Sequence, residues 1–111
     1  ASRLTDKPQF DAVHRQGQRS SDALFLVITR PNAAGQARLG LAVGIKAAGN
    51  AVKRNRIKRL ARESFRLHQH GLPAADIVVN ARPAATTSSS GEIRASLQSH
   101  WDRIVRRCAR S

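Results

Sequence analysis

The sequence has no Met and no Tyr, a single Cys, and only four aromatic residues: Phe10, Phe25, Phe65 and Trp101. With Cys108 alone, no intramolecular disulfide can form, which fits a reducing cytosol and an expected cytoplasmic location. No run of about 18 apolar residues occurs, so no helix is expected to span a membrane. The first residues lack the apolar core of a secretory signal. With Ala1 in place of an initiator Met, the sequence reads as trimmed or truncated. Acid is scarce as well. The seven acidic residues, Asp6, Asp11, Asp22, Glu63, Asp76, Glu92 and Asp102, offer no pair that can be placed together at two-metal spacing. His14, His68, His70 and His100 lack zinc-ligand spacing with Cys108. His68-x-His70 is a weak metal motif and reads better as a helix-end pair. No catalytic residue and no metal ligand is therefore expected on this chain.

What is abundant is positive charge. Twenty Lys and Arg give a formal net charge of +13 on 111 residues, and sixteen of the twenty are Arg. Such a charge repels itself in a compact fold and is usually kept for a polyanionic partner. A planar guanidinium grips phosphate with two hydrogen bonds and stacks on bases, whereas an ammonium acts as a point charge. A solubility surface, or a genome rich in Arg codons, would scatter these residues. Here they cluster.

The length suits one domain, expected to span 1–111. Residues 5–16 read as a short helix, capped by Thr5 and ended by Gly17, with Phe10 and Val13 one turn apart. ALFLVITR at 23–30 is an apolar run of strand length, PNAAGQ at 31–36 is turn chemistry, and ARLGLAVGIK at 37–46 is a second strand. In that strand Leu39, Leu41, Val43 and Ile45 share one face; Gly40, Ala42 and Gly44 share the other. The bare side calls for something packed close, either a ligand or a helix of the same chain. Residues 50–68 form the strongest helix, with Asn50 as cap and Ile57, Leu60, Ala61, Ser64 and Phe65 as its buried stripe. Gly71 and Pro73 end it. DIVVNA at 76–81 is a third strand, and parallel pairing with the second through the helix would make a βαβ unit. After a loop at 81–91, Ser89 and Glu92 make a capping box for a last helix. That helix carries Ile93, Leu97, Trp101, Ile104, Val105 and Cys108 on one side. The order α-β-β-α-β-α predicts an α+β sandwich with helices packed on a mixed sheet.

KRNRIKRLARESFR, from Lys53 to Arg66, holds seven basic residues and one acid, Glu63. At 100° per residue, Lys58, Arg59, Arg62 and Arg66 fan across the side opposite the apolar stripe, with Asn55 among them. A rigid row of guanidinium groups suits a phosphate backbone, and an amide adds hydrogen bonds to base or ribose. Lys53 and Arg54 fall near the apolar stripe. Either they sit past the edge of the core in the first turn, or the helix enters at an angle. Membrane binding is disfavoured because the apolar stripe is needed to close the core.

GNAVKRNRIKRLARESFR, residues 49–66, resembles the signature of bacterial ribonuclease P proteins, an Arg-Asn-Arg core followed by Lys-Arg and a further Arg. FDAVHRQG at 10–17, RLGLAV before the helix and DIVVNARPAA after it fit the same family, so the resemblance covers nearly the whole chain. It implies an α+β sandwich with a left-handed βαβ crossover, against the usual right-handed rule. It implies an RNA-binding subunit that assists a catalytic RNA in removing the 5′ leader from precursor tRNA. The RNA subunit and its magnesium would carry the hydrolysis, with no cofactor held by the protein and no activity of the protein alone. Lys53, Arg54, Asn55, Arg56, Lys58, Arg59, Arg62 and Arg66 would dock on the RNA subunit. A cleft between the first helix and the sheet, with Phe10, His14, Ile28, Ala42 and Lys46, would receive the leader. His14 and Ile28 stand where relatives often carry aromatics. The expected partners are thus that RNA and precursor tRNA, with no DNA and no membrane. The alternative is a ribosomal-type structural RNA-binding protein without a processing role, which would share the charge but has no need of this motif set. A nucleoid-type DNA binder lacks support, since no helix-turn-helix or dimeric arm pattern is present.

Overall fold

A computed structural model describes Arg15, residues 17–44 and residues 50–109. The helix expected at 5–16, with Phe10 and His14, lies outside the described residues except for Arg15, as do Ile45, Lys46 and the Cys108 side chain. Among the described residues, four strands and two long helices follow in order: β1 (Gln18–Ser21), β2 (Phe25–Pro31), β3 (Arg38–Ala42), α1 (Ala51–His68), β4 (Ala75–Ala81) and α2 (Ser90–Ala109). Short 3₁₀ turns at Gln69–Gly71 and Pro83–Thr87 follow α1 and β4. The sheet order is β1-β2-β4-β3. β2 pairs antiparallel with both β1 and β4, and β3 pairs parallel with β4, the two being joined through α1. The architecture is a small α+β fold with a mixed sheet.

Local chemistry explains most boundaries. Asn50 Oδ1 accepts from the Lys53 N–H at 2.9 Å and so caps α1. Before α2, Ser89 Oγ accepts from Glu92 N–H at 3.1 Å while Glu92 accepts from Ser89 N–H at 2.9 Å, the reciprocal capping box. In the β2–β3 turn Gly35 has φ 80°, a backbone state that disfavours any residue with a Cβ. Asn32 holds the same turn by accepting from Ala34 N–H at 3.0 Å.

The fourth strand is a departure from the sequence reading, which had three. β1 is the polar tetrapeptide QRSS and has no apolar alternation to betray it. Its strand state comes from pairing with β2. A second correction concerns Val105, expected on the buried side of α2 but 41% exposed. It lies about 100° around the helix from the centre of the Ile93–Leu97–Ile104 stripe.

Register sorts the sheet into two faces. One carries Phe25, Val27, Leu39, Leu41, Ile77 and Val79 into the main core, which α1 closes with Ile57, Leu60, Ala61 and Phe65 and α2 closes with Ile93, Leu97, Trp101 and Ile104. The other carries Leu26, Ile28, Val78 and Ala42 as a separate small cluster. The helices also lock to each other. Phe65 and Trp101 meet edge to face at 6.0 Å, and Trp101 Nε1 donates to Ser64 Oγ at 2.9 Å. Without Ser64 that indole N–H would be buried unpaired, at a cost of about 1–3 kcal/mol. α1 therefore lies toward the β3 side of the sheet and α2 toward β1 and β2.

Candidate nucleic-acid interface

With its apolar stripe turned inward, α1 presents the rest of its circumference outward. Asn55, Arg59, Arg62 and Arg66 are exposed and Lys58 is half-buried. At 100° per residue these five fall within about 100° of one another. Crowding of like charge is felt there. Partial burial first, then the positive charges of Arg54 and Arg62, hold the Lys58 ammonium below its usual pKa. A group in such a field gains from a phosphate that neutralises its neighbours.

The remaining basic residues of the helix do other things. Lys53 is exposed in the first turn, past the core. Arg54 is half-buried with its Nε sealed from solvent and without a hydrogen-bond partner. Arg56 is turned toward α2, where its Nη2 donates to the Ser88 carbonyl and to Ser90 Oγ, both at 3.1 Å. That residue ties the basic helix to the start of α2, a task its sequence spacing did not announce. His68 donates through Nδ1 to the Ser64 carbonyl at 2.8 Å and so closes the helix end.

The second sheet face is a different kind of surface. Rows across it follow from register: Arg30, Asp76 and Arg38; then Arg19, Ile28, Val78 and Gly40; then Ser21, Leu26, Asn80 and Ala42. Ile28 and Val78 are fully buried, so Ile28 shapes this face without offering its own surface to a ligand. Ala42, Leu26, Asn80 and Arg30 are half-buried. Asp76 is fixed by a bidentate bond from Arg38, at 2.7 and 2.9 Å, and by Asn32 Nδ2 at 2.8 Å. Burial raises the Asp76 carboxyl, but the bonds from Arg38 and Asn32 and the charges of Arg38 and Arg30 outweigh it and hold its pKa below the ordinary value. The acid stays ionised and leaves this end of the face cross-linked.

A buried polar network had no signal in the sequence. Ser20 Oγ lies 2.8 Å from His100 Nδ1 and accepts from Arg103 Nη1 at 3.1 Å. His100 Nε2 lies 3.2 Å from Asp22 Oδ2, outside regular hydrogen-bond geometry. Asp22 also accepts from the N–H groups of Leu24 and Phe25 at 2.9 and 2.8 Å, and from Ser96 Oγ. The residue types are those of a hydrolase triad, but the arrangement is not. In a triad Nε2 faces the serine and Nδ1 the acid; here the nitrogens are reversed, and His100 and Ser20 are 0% and 4% exposed. The cluster is a strut that holds β1 against α2. Among the described residues no group of three or more His, Cys, Asp or Glu could hold a metal ion, and no helix is long and apolar enough to cross a membrane.

Known proteins resemble this chain in both sequence and fold. The family model described as Ribonuclease P matches residues 1–105. The ribonuclease P protein component of Thioalkalivibrio sulfidiphilus is 46% identical over 107 residues, covering 96% of this chain and 89% of the relative. That of Methylococcus capsulatus is 46% identical over 109 residues, covering 98% and 85%. The solved structure of Staphylococcus aureus RNase P protein superposes with a TM-score of 0.87 at 36% identity, covering 94% of each chain. That of the Thermotoga maritima protein superposes with a TM-score of 0.83 at 30% identity, covering 94% and 98%.

Proposed function

Because the chain belongs to the ribonuclease P protein family, we propose that it docks on the catalytic RNA through α1 and holds the single-stranded 5′ leader of precursor tRNA on the second face of the sheet. The observation that carries this reading is the open face of Asn55, Lys58, Arg59, Arg62 and Arg66, rigid on a helix whose other side is locked in the core. Rigidity lowers the entropy lost when these side chains bind, and guanidinium groups match phosphate geometry. Lys53, Arg54 and Arg56 flank this surface. Arg56 acts there chiefly by fixing the helix. In the leader cleft, Ile28 and Ala42 form the floor, and Phe10, His14 and Lys46 complete it from outside the described residues. Hydrolysis belongs to the RNA subunit with its magnesium. The protein supplies affinity and orientation and carries no cofactor.

Binding measured at equal salt against ribonuclease P RNA, precursor tRNA, mature tRNA and duplex DNA tests the proposal. The RNA subunit should bind most tightly, and the assembled particle should prefer precursor to mature tRNA. Equal affinity for duplex DNA and the RNA subunit, or no precursor preference once assembled, would contradict it.

A further inference from the structure

The edge of the sheet formed by β1 carries positive charge that docking through α1 leaves unused. On α2, Arg103, Arg106 and Arg107 fall within about 100° of helix circumference, on the flank that also bears Ser96 and His100. Two of them reach β1 directly: Arg103 donates to Ser20 Oγ and Arg107 Nη1 donates to the Arg19 carbonyl, both at 3.1 Å. Arg106 and Arg107 are exposed, and so is Arg19. Since Ser20 is buried against α2, alternation turns Arg19 to the opposite, second face, in the row of Ile28, Val78 and Gly40. Asp22 also faces this flank, but its carboxylate is engaged by Leu24, Phe25 and Ser96. The arginines therefore form a strip that begins on the second face at Arg19, rounds the β1 edge and continues onto α2. α1 lies toward the other edge, by β3, so one RNA segment lying along α1 would not cover this strip.

We infer that the β1–α2 edge is a phosphate-binding strip for the upstream part of the precursor-tRNA leader, where the single strand leaves the sheet face. The inference rests on the proposed placement of the leader on that face. Continuity through Arg19 favours the leader over a segment of the catalytic RNA. Arginines without an aromatic among them suit the backbone of a single strand whatever its bases.

The test uses particles assembled from the full chain and ribonuclease P RNA, with precursor tRNAs bearing either a truncated or an extended leader. Arg19→Ala combined with Arg106→Ala removes two exposed side chains outside the core. Affinity for the extended-leader precursor should fall on the order of 2- to 5-fold per arginine, and its log–log salt slope should flatten by about 0.7 per lost contact. Truncated-leader affinity and RNA-subunit binding should not change. Arg94→Ala, exposed near the other end of α2, should change none of the three. An equal loss on the truncated leader, a loss in RNA-subunit binding, or an intact advantage of the extended leader would each overturn the strip. If the unaltered particle showed no preference for either leader over mature tRNA, the leader placement itself would fall, and the strip with it.

Discussion

His100 sits where the short edge strand depends on it. It is fully buried, and burial lowers its pKa below 6.5; Asp22 opposes that shift and Arg103 adds to it. For Asp22 burial acts upward, but the bonds from Ser96, Phe25 and Leu24 and the nearby His100 outweigh it, so its pKa lies below 3.8. Above pH 6.5 His100 is mostly neutral in both folded and unfolded chains and adds little pH dependence. As pH falls through 6.5 the unfolded chain takes up the proton first, and stability declines toward the lowered folded value. Asp22 adds stability above 3.8 that is lost below it. The urea midpoint should therefore drop between pH 7 and 5 by more in the native sequence than in His100→Gln, with a slope of at most about 1.4 kcal/mol per pH unit from this group. Identical slopes would show that His100 titrates as if unfolded. Arg56 likewise holds distant parts of the fold together. Arg56→Ala should cost about 1 kcal/mol of stability through the lost bonds to Ser88 and Ser90, and Ser90→Ala should be less than additive with it. An unchanged melting temperature in Arg56→Ala would return that residue to the RNA surface alone. Neither role was legible in the sequence, because both partners are distant: Ser20 and His100 are 80 residues apart, and Arg56 and Ser90 are 34.

Among elements, α1 was the most legible and β1 the least, for opposite reasons. The five residues picked from helical spacing, Ile57, Leu60, Ala61, Ser64 and Phe65, are the buried ones, because an amphipathic helix writes its environment into every third or fourth position. Caps at Asn50 and at Ser89–Glu92 were legible because capping is local. QRSS carries no such record, since its strand state is imposed by β2 and by a histidine from the far end of the chain. The face assignment in β3 was legible too: Leu39 and Leu41 join the main core and Ala42 the opposite cluster. Whether a ligand or a helix of the same chain packs on that opposite face was left open by the sequence, and the helix read at 5–16 lies outside the described residues except for Arg15. α1 also yields the most direct electrostatic test. Arg59→Ala with Arg62→Ala should leave the melting temperature unchanged, since both are exposed. It should flatten the salt dependence of RNA-subunit binding by roughly one to two log–log units. Full affinity with an unchanged slope would mean that this face points to solvent in the assembled particle.

At the scale of the whole molecule, a net charge of +13 is distributed over a fold that shows no metal-holding acid cluster among its described residues. Charge lies on α1 toward one edge of the sheet and around β1 and α2 at the other, and the second sheet face carries the small apolar cluster of Leu26, Ile28, Val78 and Ala42. A body built this way suits bringing RNA segments together, and the proposed function leaves the bond-breaking step to the RNA subunit. The division of labour is tested by reconstitution at low magnesium. Precursor tRNA is incubated with ribonuclease P RNA alone, with protein freed of RNA, and with both. The protein alone should remove no leader, the RNA alone should remove it slowly, and the two combined should act markedly faster. Leader removal by RNA-free protein, or an RNA rate that the protein does not raise, would contradict it.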